Sequence, residues 1–300
     1  MTKAVRGIYA AAVSPFDDTG ALEIGKLTRY CQYLLSDGGC DGVAPTGTTG
    51  EGTSISMAAR RVLPQAFANA GIPPERVIFG TGAPAALDAM ALTKECVSAG
   101  YPNVLVLPPY YYKAPSDDGL FAYYAKLIEG VADDALRIYL YHFPQMSAVP
   151  LSVDLVLRLR AAFGPVIAGL KDSSGDFAQS RALIEATGGV EADFDVYPSS
   201  EAMLWDGLSI GAAGIISGST NAFAPLVQAA KAAPEGPERD AAMAKVIAAR
   251  TLAGQYPLMA AMKQMEAWRS GDSSWERMAP PLVPLNTEQK AALKADLGAL

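Results

Sequence analysis

The 300 residues contain a single histidine, His142, and three cysteines, Cys31, Cys40 and Cys96. Catalytic zinc sites commonly draw two or three imidazoles, so a metal-dependent hydrolase or aldolase would be short of ligands here. The cysteines are odd in number and include no C-x-x-C pair, which argues against a disulfide framework or a thiolate metal site and leads to the expectation of a reduced, cytoplasmic setting. Basic charge is scarce as well: 24 lysines and arginines stand against 31 acids, for a net charge of −7. Nothing supplies the footprint that neutralises phosphates, so nucleic acid is not an expected partner. No segment approaches the ~18 apolar residues of a membrane helix, so no membrane association is expected. The apolar N-terminal stretch is cut by Pro15, Asp17 and Asp18 and reads as a first strand rather than a secretion signal.

What is present is apolar mass. Half the residues are hydrophobic and only 18% are charged, enough to build a large core and offset the ordering entropy that keeps polar chains disordered. Short apolar runs ending in Gly, Pro, Ser or Thr recur at 8–16, 42–47, 77–82, 103–109, 137–144, 166–173, 194–200 and 213–219. Helical periodicity fills the intervals, as at 23–35, 56–70, 87–100, 118–131, 152–164 and 177–187. Eight strand signals alternating with helices over about two hundred residues predict an α/β chain closed as a (β/α)8 TIM barrel rather than an open doubly wound sheet. After Asn221 only helical patterns remain, so the expected division is a catalytic barrel over 1–224 and a C-terminal helical domain over 225–300.

Barrel chemistry sits where strands end. Lys171 ends the apolar strand VIAGL, and an amine held among apolar neighbours has its charged form disfavoured, which makes it a nucleophile for a keto group. Strand alternation places Gly169 and Ile167 on its face, leaving room beside it. The same residue reads equally well as a strand-end lysine paired with Asp172. Tyr141 closes the preceding strand, where its hydroxyl could carry protons or its ring could simply pack. His142 alternates to the opposite face and is expected to be structural. Gly47-Thr48-Thr49-Gly50-Glu51 has neither the lysine of a P-loop nor the G-x-G-x-x-G spacing. Its glycines and hydroxyls suit a carboxylate, or an ordinary capped turn. Gly218-Ser219-Thr220-Asn221 offers the same choice between an anion cradle and a cap.

Taken together, Gly47-Thr48-Thr49-Gly50-Glu51, Pro109-Tyr110-Tyr111, Tyr141 with Pro144, and Gly169-Leu170-Lys171-Asp172 with Gly175 resemble the dihydrodipicolinate synthase/N-acetylneuraminate lyase family of class I, pyruvate-binding aldolases. The likeness covers nearly the whole chain. It implies a Schiff base at Lys171, proton transfer by Tyr141 relayed through Thr48 and Tyr111, a substrate carboxylate held at Thr48 and Thr49, and a backbone carbonyl at Ile216 facing the lysine. It also implies a homotetramer, a dimer of dimers in which Tyr111 enters the neighbouring subunit's site, a small-molecule 2-oxo acid as substrate, and no metal or organic cofactor. Where the synthases of that family carry an arginine for aspartate semialdehyde, this chain has Met146. Ser200-Glu201 reproduces half of the lyases' Asp-Glu pair for sugar hydroxyls, Ser173 falls where those lyases place a hydroxyl, and Gly218 lies near the substrate. The expectation is an aldolase, lyase or dehydratase for a hydroxylated, sugar-acid-like 2-oxo acid. The alternatives are the synthase of that family, disfavoured by Met146, and a barrel that binds keto acids without turnover.

Overall fold

The structure, a computed structural model, describes residues 3–300. Strand and helix alternate from β1 (Gly7–Ala10) through α1 (Ile24–Leu35), β2 (Gly42–Val43), α2 (Met57–Asn69), β3 (Phe79–Gly80), α3 (Ala86–Ser98), β4 (Asn103–Val106) and α4 (Asp117–Val131) to β5 (Arg137–His142). A short helix, α5 (Pro144–Ser147), precedes α6 (Val153–Phe163), β6 (Ile167–Asp172), α7 (Phe177–Thr187), β7 (Asp195–Pro198), α8 (Leu204–Ser209) and β8 (Gly214–Ser217). Then come α9 (Thr220–Ala232), α10 (Pro237–Gly254), α11 (Leu258–Ser270) and α12 (Thr287–Gly298).

Every strand pair is parallel, in the orders β2-β1-β8 and β3-β4-β5-β6-β7. A parallel bridge between Val43 and Val77 joins β2 to the start of β3, and the Ala213 amide donates to Val196 O at 2.9 Å across β7 and β8. These links close a (β/α)8 barrel followed by C-terminal helices. Serine caps start three of the barrel helices: the side chains of Ser56, Ser116 and Ser152 accept from Ala59, Gly119 and Leu155 amides. The division expected at 224/225 falls inside α9, the eighth barrel helix, so the chain has no break there.

Two apolar layers result from strand alternation. One lies between strands and helices and includes Ile8, Val104, Val106, Leu140, Leu170 and Val196. The other fills the barrel with Tyr9, Tyr139, Tyr141, Ala168, Tyr197 and Ile216. A register shift between β5 and β6 interrupts the alternation: Ile138 pairs with Ile167 but Tyr139 pairs with Gly169. The bulge sends Ile167 outward, away from the face of Lys171 where alternation alone had placed it, and turns Ala168 inward. Gly169 leaves space, yet the barrel itself takes that space: a Cβ there would lie 2.1 Å from Asp195 O and 2.9 Å from the Tyr139 ring.

Candidate active site

β5 and β6 pair in a register that sets Tyr141 beside Lys171 and His142 beside Asp172. The first pair points into the barrel mouth and the second outward. Lys171 is 3% exposed, and its Nζ donates to Tyr141 Oη at 3.3 Å while lying 4.5 Å from the centre of that ring. Tyr141 Oη in turn donates to Thr48 Oγ1 at 3.2 Å. No carboxylate of the described residues pairs with Lys171. Asp172, the alternative partner, is spent outside the barrel, accepting from Ser180 Oγ at 2.5 Å and from the Ser174 amide at 2.9 Å. A buried amine beside a phenol, without a carboxylate to hold it, is placed to add to a keto group that enters the barrel mouth.

The loop after β2 presents Thr48 and Thr49 by an unusual backbone path. Thr46 and Glu51 both adopt positive φ, at 58° and 52°. A Cβ on Gly52 would fall 1.9 Å from Thr46 O, so glycine is required for the loop to fold back on itself. Glu51, the last residue of the motif, faces away from the cavity. Its Oε1 accepts from Lys263 of α11 at 2.7 Å and its Oε2 from the Ala279 amide at 2.7 Å, with both charged side chains fully buried. Burial pulls the Lys263 ammonium below its ordinary range, and Glu51 opposes that shift. The pair fastens the threonine loop to the C-terminal helices.

A cavity of about 360 Å³ opens over this relay. Thr48, Thr49, Tyr141, Lys171, Ser173, Ser200, Ile216, Gly218 and Met146 all line it, which joins most of the residues singled out in the sequence.

The dihydrodipicolinate synthetase family model matches residues 4–300. The chain belongs to this family. A relative named an uncharacterized DapA-like lyase of Chloroflexus aurantiacus is 37% identical over 293 residues, covering 97% of this chain and 95% of its own. The crystal structure of dihydrodipicolinate synthase from Agrobacterium tumefaciens superposes with a TM-score of 0.86 at 32% identity, covering 98% of this chain and 99% of that one. N-acetylneuraminate lyase of Proteus mirabilis gives a TM-score of 0.83 at 25% identity over 99% of both chains. Members of the dihydrodipicolinate synthetase family are class I, pyruvate-dependent lyases and aldolases, and this chain is an enzyme of that class.

Within this family member, Met146 stands 58% exposed at the cavity rim on α5. Gly218 lets β8 approach the threonine loop, since a Cβ there would meet Thr49 Oγ1 at 3.0 Å. The side chains that follow Gly218 are committed internally: Thr220 donates to Ser217 O, and the Asn221 amide donates to both Gly218 O and Ala11 O, which braces the turn.

One expectation changes. Glu201 does not line the cavity. It is 1% exposed and accepts from Ser219 Oγ at 2.6 Å, because the turn that opens α8 tucks it behind Ser217 and Ser219. Tyr111 is 73% exposed, packed edge-on against Tyr112, and does not reach its own chain's cavity. His142 behaves as expected: its Nδ1 accepts from the Leu151 amide at 3.0 Å, and burial lowers its pKa below the ordinary 6.5, against an upward pull from Asp172.

Sequence reasoning missed Arg250. It lines the cavity from α10, with Nε 3.6 Å from Glu201 Oε2. Among the described residues, no group of three or more His, Cys, Asp or Glu side chains is placed to hold a metal ion. No helix of the described residues is long and apolar enough to cross a membrane.

Proposed function

We propose that this chain is a Schiff-base-forming lyase or dehydratase for a hydroxylated, sugar-acid-like 2-oxo acid. The relay Lys171–Tyr141–Thr48, at 3.3 and 3.2 Å under the cavity, is the observation that carries this reading. Thr48 and Thr49 hold the carboxylate with hydroxyls and with backbone N–H groups that bond no other described backbone. Lys171 Nζ adds to the keto carbon. Tyr141 protonates the resulting carbinolamine oxygen, water leaves, and a protonated imine remains as electron sink. In cleavage, Tyr141 takes the proton of the C4 hydroxyl as the C3–C4 electrons move into the imine, giving an enamine and an aldehyde. In dehydration, C3 loses a proton and the C4 oxygen departs as water. Reprotonation and addition of water to the imine release the 2-oxo acid and restore Lys171.

The Ile216 carbonyl faces the amine in this scheme, while Ser173, Ser200 and Gly218 border the rest of the substrate. The imine is the only electron sink the scheme uses, so it includes no metal or organic cofactor. Homotetramer formation in a cytoplasmic setting belongs to the same proposal: the exposed Tyr111 would complete the relay of an adjoining copy, supported by its absence from its own cavity. Condensation of pyruvate with aspartate semialdehyde, the synthase reaction, is the second reading, supported by the synthase relative and opposed by Met146.

Treating the protein with pyruvate and borohydride should leave one reduced three-carbon adduct, located at Lys171 by peptide mass analysis. An unmodified protein, or adducts scattered over surface lysines, would overturn the Schiff-base reading.

A further inference from the structure

Arg250 is the one cation on the cavity wall besides Lys171, and no Asp or Glu lines the cavity among the described residues. Its guanidinium donates no hydrogen bond to any described residue. The nearest acid, Glu201, approaches only to 3.6 Å through Arg250 Nε. Glu201 is itself almost wholly buried. One of its oxygens is satisfied by Ser219, and the other, Oε2, is buried without a hydrogen bond. A buried carboxylate thus sits behind a partly exposed guanidinium, close enough to hold it at the wall and too far to use up its donors.

A planar fork of unspent N–H donors, beside the hydroxyls of Ser199 and Ser200, is built to take an oxyanion in bidentate fashion. We infer that Arg250 forms a second anion subsite, and that the substrate is a 2-oxo acid with a further carboxylate or phosphate at the end remote from the keto group. Glu201 serves as a positioning residue for that arginine. The inference rests on the Schiff-base reading above and narrows its substrate class: the hydroxylated chain ends in an acid, not in a neutral alcohol. It also gives the cavity a cation that the rim lacks at Met146, supplied from the C-terminal helices.

The test uses borohydride trapping at Lys171 as a titration. The probes are paired 2-oxo acids that differ only in the distal group, 2-oxoglutarate against 2-oxopentanoate and 2-oxoadipate against 2-oxohexanoate. At least one diacid should saturate trapping at a concentration about 10- to 100-fold below that of its monoacid, the span of hydrogen bonds to a charged group. Arg250→Gln should erase the preference while Arg250→Lys retains part of it. Equal saturation by both members of each pair in the unaltered enzyme, or a preference that survives in Arg250→Gln, would overturn the subsite and leave the Schiff base standing. If Arg250→Gln shifts both curves equally, the residue is structural and the inference fails. Trapping by none of the acids would bring down the Schiff-base reading and this inference with it. Condensing pyruvate with succinic semialdehyde, glyceraldehyde 3-phosphate and neutral glyceraldehyde then tells carboxylate from phosphate. Efficient use of glyceraldehyde alone would contradict both.

Discussion

The two ends of the barrel use the same kinds of side chain to opposite ends. At the bottom, where the strands begin, the buried Asp195 meets Lys3 at 3.0 Å and Arg6 at 2.8 Å, and the Tyr139 hydroxyl approaches it at 3.3 Å. Tyr9 and Tyr197 complete that layer, and burial pushes the hydroxyls of Tyr139 and Tyr197 well above the ordinary phenol range, so they remain neutral. Every charge there has an opposite. At the top, Lys171 has only a phenol and Arg250 only a distant carboxylate, and a cavity lies between them. A closed set of pairs gives stability, whereas polar groups left without their full complement give a place for a substrate to supply what is missing.

The comparison breaks most sharply at Lys171. Lys171→Arg keeps a cation but cannot form an imine, and turnover should fall by roughly 10⁴-fold or more, with pyruvate trapping lost. Steady-state rates and intact-mass analysis check both. Tyr141→Phe keeps the ring against Phe143 and removes the proton carrier, so turnover should fall by roughly 10²–10⁴-fold while the fold stays intact. Near-wild-type rates would return Tyr141 to a packing role.

At the opposite end, Asp195→Ala should cost about 1–3 kcal/mol of stability, by leaving the buried Tyr139 hydroxyl without its acceptor and Lys3 and Arg6 with Asp193 alone, read as a lowered denaturation midpoint. Turnover by the folded fraction should stay close to that of the unaltered enzyme. Loss of activity without loss of stability would erase the distinction between the two ends. Met146→Arg should sharpen it by adding a cation to the rim, raising the use of aspartate semialdehyde about 10-fold, an increase that competition assays against hydroxylated 2-oxo acids would show.

The smallest effect is expected at His142. Its folded pKa lies below 6.5, so the unfolded chain binds the proton more readily. The stability this provides is fully present above pH 6.5 and declines as the pH falls from there toward the folded value. His142→Asn offers an acceptor to the Leu151 amide without titrating, so it should flatten that part of the stability profile, as measured by urea unfolding from pH 7 to pH 5.

Most of the barrel was legible because its strands end in Gly, Pro or Ser and its helices carry an apolar stripe, signals that belong to single segments. The four helices after β8 were legible for the same reason. β2 and β3 were read too long: the regular strands span only Gly42–Val43 and Phe79–Gly80, flanked by isolated bonds such as the Val43–Val77 bridge. Ile167 was misplaced because a bulge leaves no mark on periodicity. Lys171, Tyr141 and the two threonines were legible as strand-end residues, and their meeting is a consequence of register. Glu201 was misjudged because the direction of one side chain in a tight turn is set by its packing against β8. Arg250 was invisible since it lies far beyond the last strand, and its one local trace is a charge set in the apolar run VIAARTLA.

The buried pair of Glu51 and Lys263 has a consequence for how such chains can be recombined. A chimaera that takes its barrel from this enzyme and its last helices from a relative would keep Lys171, Tyr141 and both threonines. It would nonetheless face Glu51 with whatever the donor places at position 263. A neutral residue there strands a carboxylate in the interior at a cost of about 3–5 kcal/mol, borne by the loop that presents Thr48 and Thr49. Crossovers that keep 51 and 263 in one parental block should yield folded hybrids, and those that bring a neutral residue to 263 opposite Glu51 should not. The C-terminal helices are therefore inherited with the threonine loop, although more than two hundred residues of chain lie between them.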